Sequence, residues 1–208
     1  MKSPLRQWIR ASLGLVVALL GATRAEAHVI ASGMGSFYDG IGHFFLSPDD
    51  VLAVLALILL AGMRGSAAST RLLFTLPVAW AGAGVIGLLT TAPALSGQIP
   101  SACSILLLGL LVASDLPLAT WIVMALALIA GGLHGYFNGQ AMREAGVNPA
   151  LIQLAGVGFT LFVLVLHLTD WIQKARRPWM RIVLRVMGSW LGAAGLLLLG
   201  WSLRTRGG

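Results

Sequence analysis

From residue 51 onward the chain is a series of apolar runs in which charge is nearly absent, separated by short connectors that hold most of the Arg and Lys residues. A segment crossing about 30 Å of hydrocarbon must pair every backbone N–H and C=O internally, which restricts each such run to a helix. The runs are residues 51–63, 72–89, 101–113, 118–137, 150–172 and 182–203. The expected fold is therefore all-α: a polytopic transmembrane helical bundle of about six spans. Charged residues make up 10% of the 208, against roughly 25% in soluble domains, which excludes a soluble fold. The net charge of +7 sits in connectors where cytoplasmic loops concentrate Lys and Arg, so it argues for the bilayer and against nucleic acid as partner. Cys103 is the single cysteine, so no intrachain disulfide can form.

Residues 1–27 have the form of a cleavable secretory signal peptide. Lys2, Arg6 and Arg10 give the basic start, residues 13–22 the short apolar core, and Ala25-Glu26-Ala27 the small residues for cleavage. Residues 28–208 would then be one transmembrane domain beginning at His28, with its N-terminus outside the cytoplasm. That orientation sends Arg64 and Arg71, and later Lys174, Arg176, Arg177 and Arg181, to the cytoplasmic side and leaves Arg143, Arg204 and Arg206 outside, an asymmetry that favours this assignment by the positive-inside rule.

Two polar clusters interrupt this apolar background, and a charge there is costly unless it has a partner or a task. The first lies before the 51–63 run and contains Asp39, His43, Asp49 and Asp50. Ser47-Pro48-Asp49-Asp50 also suits a helix start, with Ser as N-cap, Pro at the first position and acids in the first turn. That reading leaves His43 unexplained. The second cluster is His134, Asn138 and Gln140 near the end of the fourth run. His134 and Asn138 are four residues apart and share a helix face, and Gly131, Gly135 and Gly139 form a small-residue stripe suited to close helix packing. Helix direction alone brings the start of the first run and the end of the fourth to the same, outer, side. Imidazole and carboxylate together suit a divalent transition metal, so His43, Asp49, Asp50 and His134 are the expected ligands. Asn138 and Gln140 are weaker carbonyl donors, and His28 and Asp39 possible additions. A polar seam between the first and fourth runs would lead inward. His167 and Asp170, three apart near the inner end of the fifth run, suit either an ion exit or ordinary helix-end solvation.

The first cluster, His43 with Asp49 after five intervening residues and then Asp50, resembles the His-x5-Asp-His signature of the HupE/UreJ family of hydrogenase- and urease-associated membrane proteins. The segment from Leu133 to Gln140 resembles that family's second signature, Phe-His-Gly-x-Ala-x-Gly-x-Glu, with His134, Gly135 and Gly139 in register. Four positions depart from it: Asp50, Leu133, Phe137 and Gln140 stand where the family has His, Phe, Ala and Glu. An oxygen donor thus replaces a nitrogen, and a neutral amide a carboxylate, which makes the site harder.

The resemblance implies a bacterial inner-membrane protein with a periplasmic mature N-terminus, a nickel or cobalt permease or metal-handling accessory protein that supports metalloenzyme maturation. Its partners would be the lipid bilayer, the divalent ion and a metalloenzyme or its maturation machinery. The ion would be transported or transiently held, with no tightly bound cofactor. No enzymatic activity is expected. Two other readings stay open: a structural accessory subunit whose glycine stripe docks a partner, and a membrane hydrolase in which zinc held by His43, His134 and an Asp activates water.

Overall fold

The computed structural model describes residues 33–91, 97–174 and 178–206. The expected signal peptide and His28 lie outside these residues, as do Arg176 and Arg177. Among the described residues there are seven α-helices: α1 (Ser36–Leu46), α2 (Pro48–Arg64), α3 (Ser66–Leu89), α4 (Gln98–Ser114), α5 (Thr120–Ala141), α6 (Val147–Lys174) and α7 (Pro178–Arg206), with a 3₁₀ turn, Met142–Ala145, between α5 and α6. The all-α expectation holds, and each of the six apolar runs lies on one of α2 to α7, the fourth beginning two residues before α5. Four helices, α3, α5, α6 and α7, are long and apolar enough to cross a membrane. The helix α2 meets that test only together with α1, from which it is bent by 79°. The helix α4 has 17 residues, about 25 Å at 1.5 Å per residue. Length and hydropathy thus give four spans, or five with the bent pair, and the difference from about six lies in α2 and α4.

The bend has a local cause. A residue before proline is pushed out of the α region, and Ser47, preceding Pro48, has φ −101° and ψ 90°. Helix α1 ends there and α2 starts afresh, with Pro48 in the first turn where its missing N–H costs nothing. Ser47 stands at the N-cap position but makes no side-chain cap bond. Its hydroxyl donates back to the His43 carbonyl at 2.9 Å, so the capping function expected of it is not performed. The connection from α2 to α3 is Gly65 alone, with φ 102°, a conformation that glycine adopts without a Cβ penalty.

The helix α2 is the centre of the molecule. It touches every other helix and is buried without interruption from Ala56 to Gly62. The other helices pair around it through glycine contacts: α1 with α6, α3 with α5, and α4 with α7. A Cβ on Gly40 would collide with the Gln153 carbonyl, one on Gly135 with the Trp80 carbonyl, and one on Gly109 with the Gly192 nitrogen. Within a bilayer such close backbone approach supplies the packing energy that the hydrophobic effect cannot, because lipid tails are as apolar as Leu. Large apolar side chains cover the outside, including Phe74 and Val78 on α3, Ile129 on α5, and Trp190 and Leu197 on α7.

Helix direction gives the bundle two ends. One holds the starts of α2, α4 and α6 with the ends of α3, α5 and α7, and it carries Asp50. At the other, Asp115 caps α4 in the left-handed region, φ 52°. It pairs there with Arg64 at the end of α2 and Arg181 at the start of α7.

Candidate metal centre

Asp50 lies in the first turn of α2, on the side turned toward α5, and only 3% of it is exposed. A carboxylate so placed needs compensation, which two α5 side chains provide. His134 Nδ1 stands 2.7 Å from Asp50 Oδ1, and Asn138 Nδ2 donates to Asp50 Oδ2 at 2.8 Å. The four-residue spacing that places His134 and Asn138 on one face lets them take one carboxylate oxygen each. Asn138 Nδ2 also donates to the His134 carbonyl at 3.1 Å. With both of its neighbours acceptors, the orientation of the amide is determined.

The imidazole is held on all sides. Its Nε2 is 2.9 Å from the Ser104 hydroxyl of α4, and its face stacks on Trp80 of α3 at 5.6 Å between centroids. Trp80 is buttressed in turn by Phe44 of α1, edge to face at 6.2 Å. With Asp50 ionised, Nδ1 carries the proton and donates it to Oδ1, which leaves Nε2 to accept from Ser104. The Ser104 hydroxyl has one other acceptor in reach, the Ser101 carbonyl at 2.8 Å. Five helices therefore contribute to positioning one ring.

Asp49 is half-buried beside this pair. Ligand atoms of Asp49, Asp50 and His134 all lie within 4.8 Å of one another. Donors on opposite sides of a divalent ion stand about 4 to 5 Å apart, so the three can converge on one ion with small adjustments. The Asn138 Oδ1 is buried and has no hydrogen-bond partner, so the same corner also offers an unused carbonyl oxygen.

His43 stands outside this group, although Asp49 and Asp50 both act on it electrostatically. Asp39, in the first turn of α1, is likewise outside it. Gln140 turns to its own helix, where its Nε2 donates to the Tyr136 hydroxyl at 3.2 Å. At the far end, His167 Nδ1 donates to the Val163 carbonyl one turn back at 2.8 Å, and Asp170 pairs with Lys174 in an exposed i, i+4 contact at 2.7 Å. Both contacts stay within α6. Gly131, Gly135 and Gly139 meet Leu76, Trp80 and Gly84 of α3, so the stripe is consumed inside the chain and is not free to dock a partner. The expected polar seam is not found among the described residues, since α5 buries Val123, Ala127 and Ala130 on the way inward.

Sequence reasoning does not single out Ser104, Trp80 or Phe44. Each is one polar or aromatic residue in an apolar run, and nothing in its spacing announces a role. Asp50, His134 and Ser104 do have the connectivity of a carboxylate–imidazole–hydroxyl relay. Ser104 lies inside α4, however, where its N–H is committed to the helix, and acyl transfer needs free donors at the developing oxyanion.

A family model described as HupE / UreJ protein matches residues 15–198. No protein of curated function and no solved structure matches the chain.

Proposed function

The chain belongs to the HupE/UreJ family, and on that premise we propose that it is a membrane metal permease or metal-handling accessory protein that captures a divalent transition-metal ion at the Asp50 end of the bundle. The observation that carries the reading is the convergence of Asp49, Asp50 and His134, with one carboxylate and the imidazole almost fully buried. Burial of Asp50 is costly, and a pair retained in an apolar bundle is by default a functional site.

The fold supports an order of events. Lys and Arg are more numerous at the Arg64 end, which has Arg64, Arg71, Lys174, Arg181 and Arg185, than at the Asp50 end, which has Arg143, Arg204 and Arg206. By the positive-inside rule that excess supports a cytoplasmic Arg64 end and a metal site on the periplasmic side of an inner membrane. An ion entering from outside meets Asp49 first, because it is the more exposed of the two carboxylates. It then takes the place of the Nδ1 proton between His134 and Asp50. The ring stays neutral by carrying its proton on Nε2 instead, toward the Ser104 oxygen, whose own hydroxyl proton turns to the Ser101 carbonyl. Passage further is closed in this state, since Val54, Leu57, Ile58 and Leu60 of α2 are buried in apolar contact. Beyond them a polar cavity of about 210 Å³, lined in part by Ser69, Thr169, Asp170 and Gln173, opens at the Arg64 end and offers oxygen ligands for release. Delivery to a metalloenzyme or its maturation machinery would follow there.

The test is uptake into proteoliposomes that enclose a metal-sensitive dye. Cobalt or nickel entry with the wild type, abolished by His134→Gln, supports a permease. Binding without entry assigns the chain a holding role, and entry that persists in the variant contradicts the site.

A further inference from the structure

We infer that the site at the Asp50 end is built for an oxygen-preferring divalent ion, one at which manganese competes with nickel to within about tenfold. The inference rests on the reading of this corner as a metal site and names the class of ion it takes.

The donor set decides the class. Asp49 and Asp50 offer carboxylate oxygens and His134 the single imidazole of the group. The fourth donor is the Asn138 side-chain oxygen. Asn138 is 5% exposed, and its Nδ2 is occupied by Asp50 and by the His134 carbonyl. Turning the amide over would set oxygen against two acceptors, so Oδ1 is fixed as the atom left without a partner. A buried carbonyl oxygen normally finds a donor. The same amide is held against the Asp50 carboxylate by its Nδ2, and a cation drawn to this corner by the carboxylates would give Oδ1 the partner it lacks, which a further hydrogen-bond acceptor cannot do.

Among the described residues no soft ligand joins the group to change the balance. Cys103 is exposed and lines an apolar crevice between α4 and α5 with Leu107, Ile129 and Leu133. His43 stands outside the ligand group. The preference of nickel over manganese arises from ligand-field stabilisation, which nitrogen donors strengthen more than oxygen donors do. A set of three oxygens and one nitrogen therefore flattens the usual rise in affinity from manganese to nickel, and carboxylate with carbonyl suits manganese well.

The experiment is titration calorimetry of the full chain in detergent with manganese, cobalt, nickel and zinc at one pH, with electron spin echo spectroscopy of the manganese-loaded protein. The expected result is a manganese Kd within about tenfold of that for nickel, and one nitrogen coupled to manganese, lost in His134→Gln. Asn138→Ala should weaken manganese more than nickel. Asp50→His, which exchanges an oxygen donor for a nitrogen, should widen the nickel preference beyond about a hundredfold. A wild type that already prefers nickel by about a hundredfold, or shows two coupled nitrogens, overturns the ion class and leaves the metal site standing. Absence of binding by all four ions overturns the metal site itself, and this inference with it.

Discussion

At the scale of single residues, the account turns on how the His134 ring is held. Two nitrogens, two hydrogen-bonding neighbours and one stacked indole leave it one orientation, and outer contacts of this kind typically change metal affinity by about 10- to 100-fold when removed. Ser104→Ala is therefore expected to weaken cobalt binding by about tenfold while the fold is retained, as read by equilibrium dialysis and circular dichroism. His167→Ala should leave affinity unchanged, because that ring is exposed and bonded to its own helix. A loss of affinity there would move the site to the other end. Much of this corner is legible in the sequence. His134 and Asn138 declare a shared face by their spacing, and helix direction brings Asp50 to the same end of the bundle. Ser104 and Trp80 are not legible, because a contact between residues thirty or fifty positions apart leaves no periodic trace. The limited part taken by His43 is hidden for a different reason: the bend at Ser47 decides where α1 points.

At the scale of elements, the informative helix is α2. A helix apolar on every face reads alike whether lipid or protein surrounds it, so the sequence cannot distinguish a lipid-facing first span from the buried axis that α2 is. Its 17 residues and the charges at both ends are the available signals, and they are weak. The glycine stripe of α5 is the opposite case: three glycines at four-residue intervals predict close packing, and only the partner, α3, needs the structure. Because a Cβ on Gly135 meets the Trp80 carbonyl, Gly135→Val must push α3 and α5 apart. Overpacking of this kind costs about 1 to 3 kcal/mol. Thermal unfolding in detergent should fall accordingly, and metal binding should fall with it because Trp80 and His134 sit on the two separated helices. Gly158→Ala, where a Cβ meets nothing within 4 Å and alanine favours the helix, should lower neither.

At the scale of the whole molecule, Asp115 ties the end of α2 to the start of α7 and so fixes the axis at the end opposite Asp50. Burial pushes its carboxyl pKa up, but hydrogen bonding and charge from Arg181 and then Arg64 prevail and hold it below the usual carboxylate value. A depressed folded pKa contributes stability that is present above the unfolded value near 3.8 and is lost as pH falls through the folded one. Asp115→Asn should therefore unfold more readily than wild type at pH 7, with the gap closing as the two are acidified below about pH 4. A gap independent of pH would show that the charge plays no part. The account as a whole stands on one ion held between α2 and α5, and the most direct measurement is the number of cobalt ions bound per purified chain, wild type beside Asp50→Asn and His134→Gln. One ion in the wild type, with affinity reduced at least about a hundredfold in both variants, is the result predicted. Equal binding by all three proteins, or none by any, would contradict it.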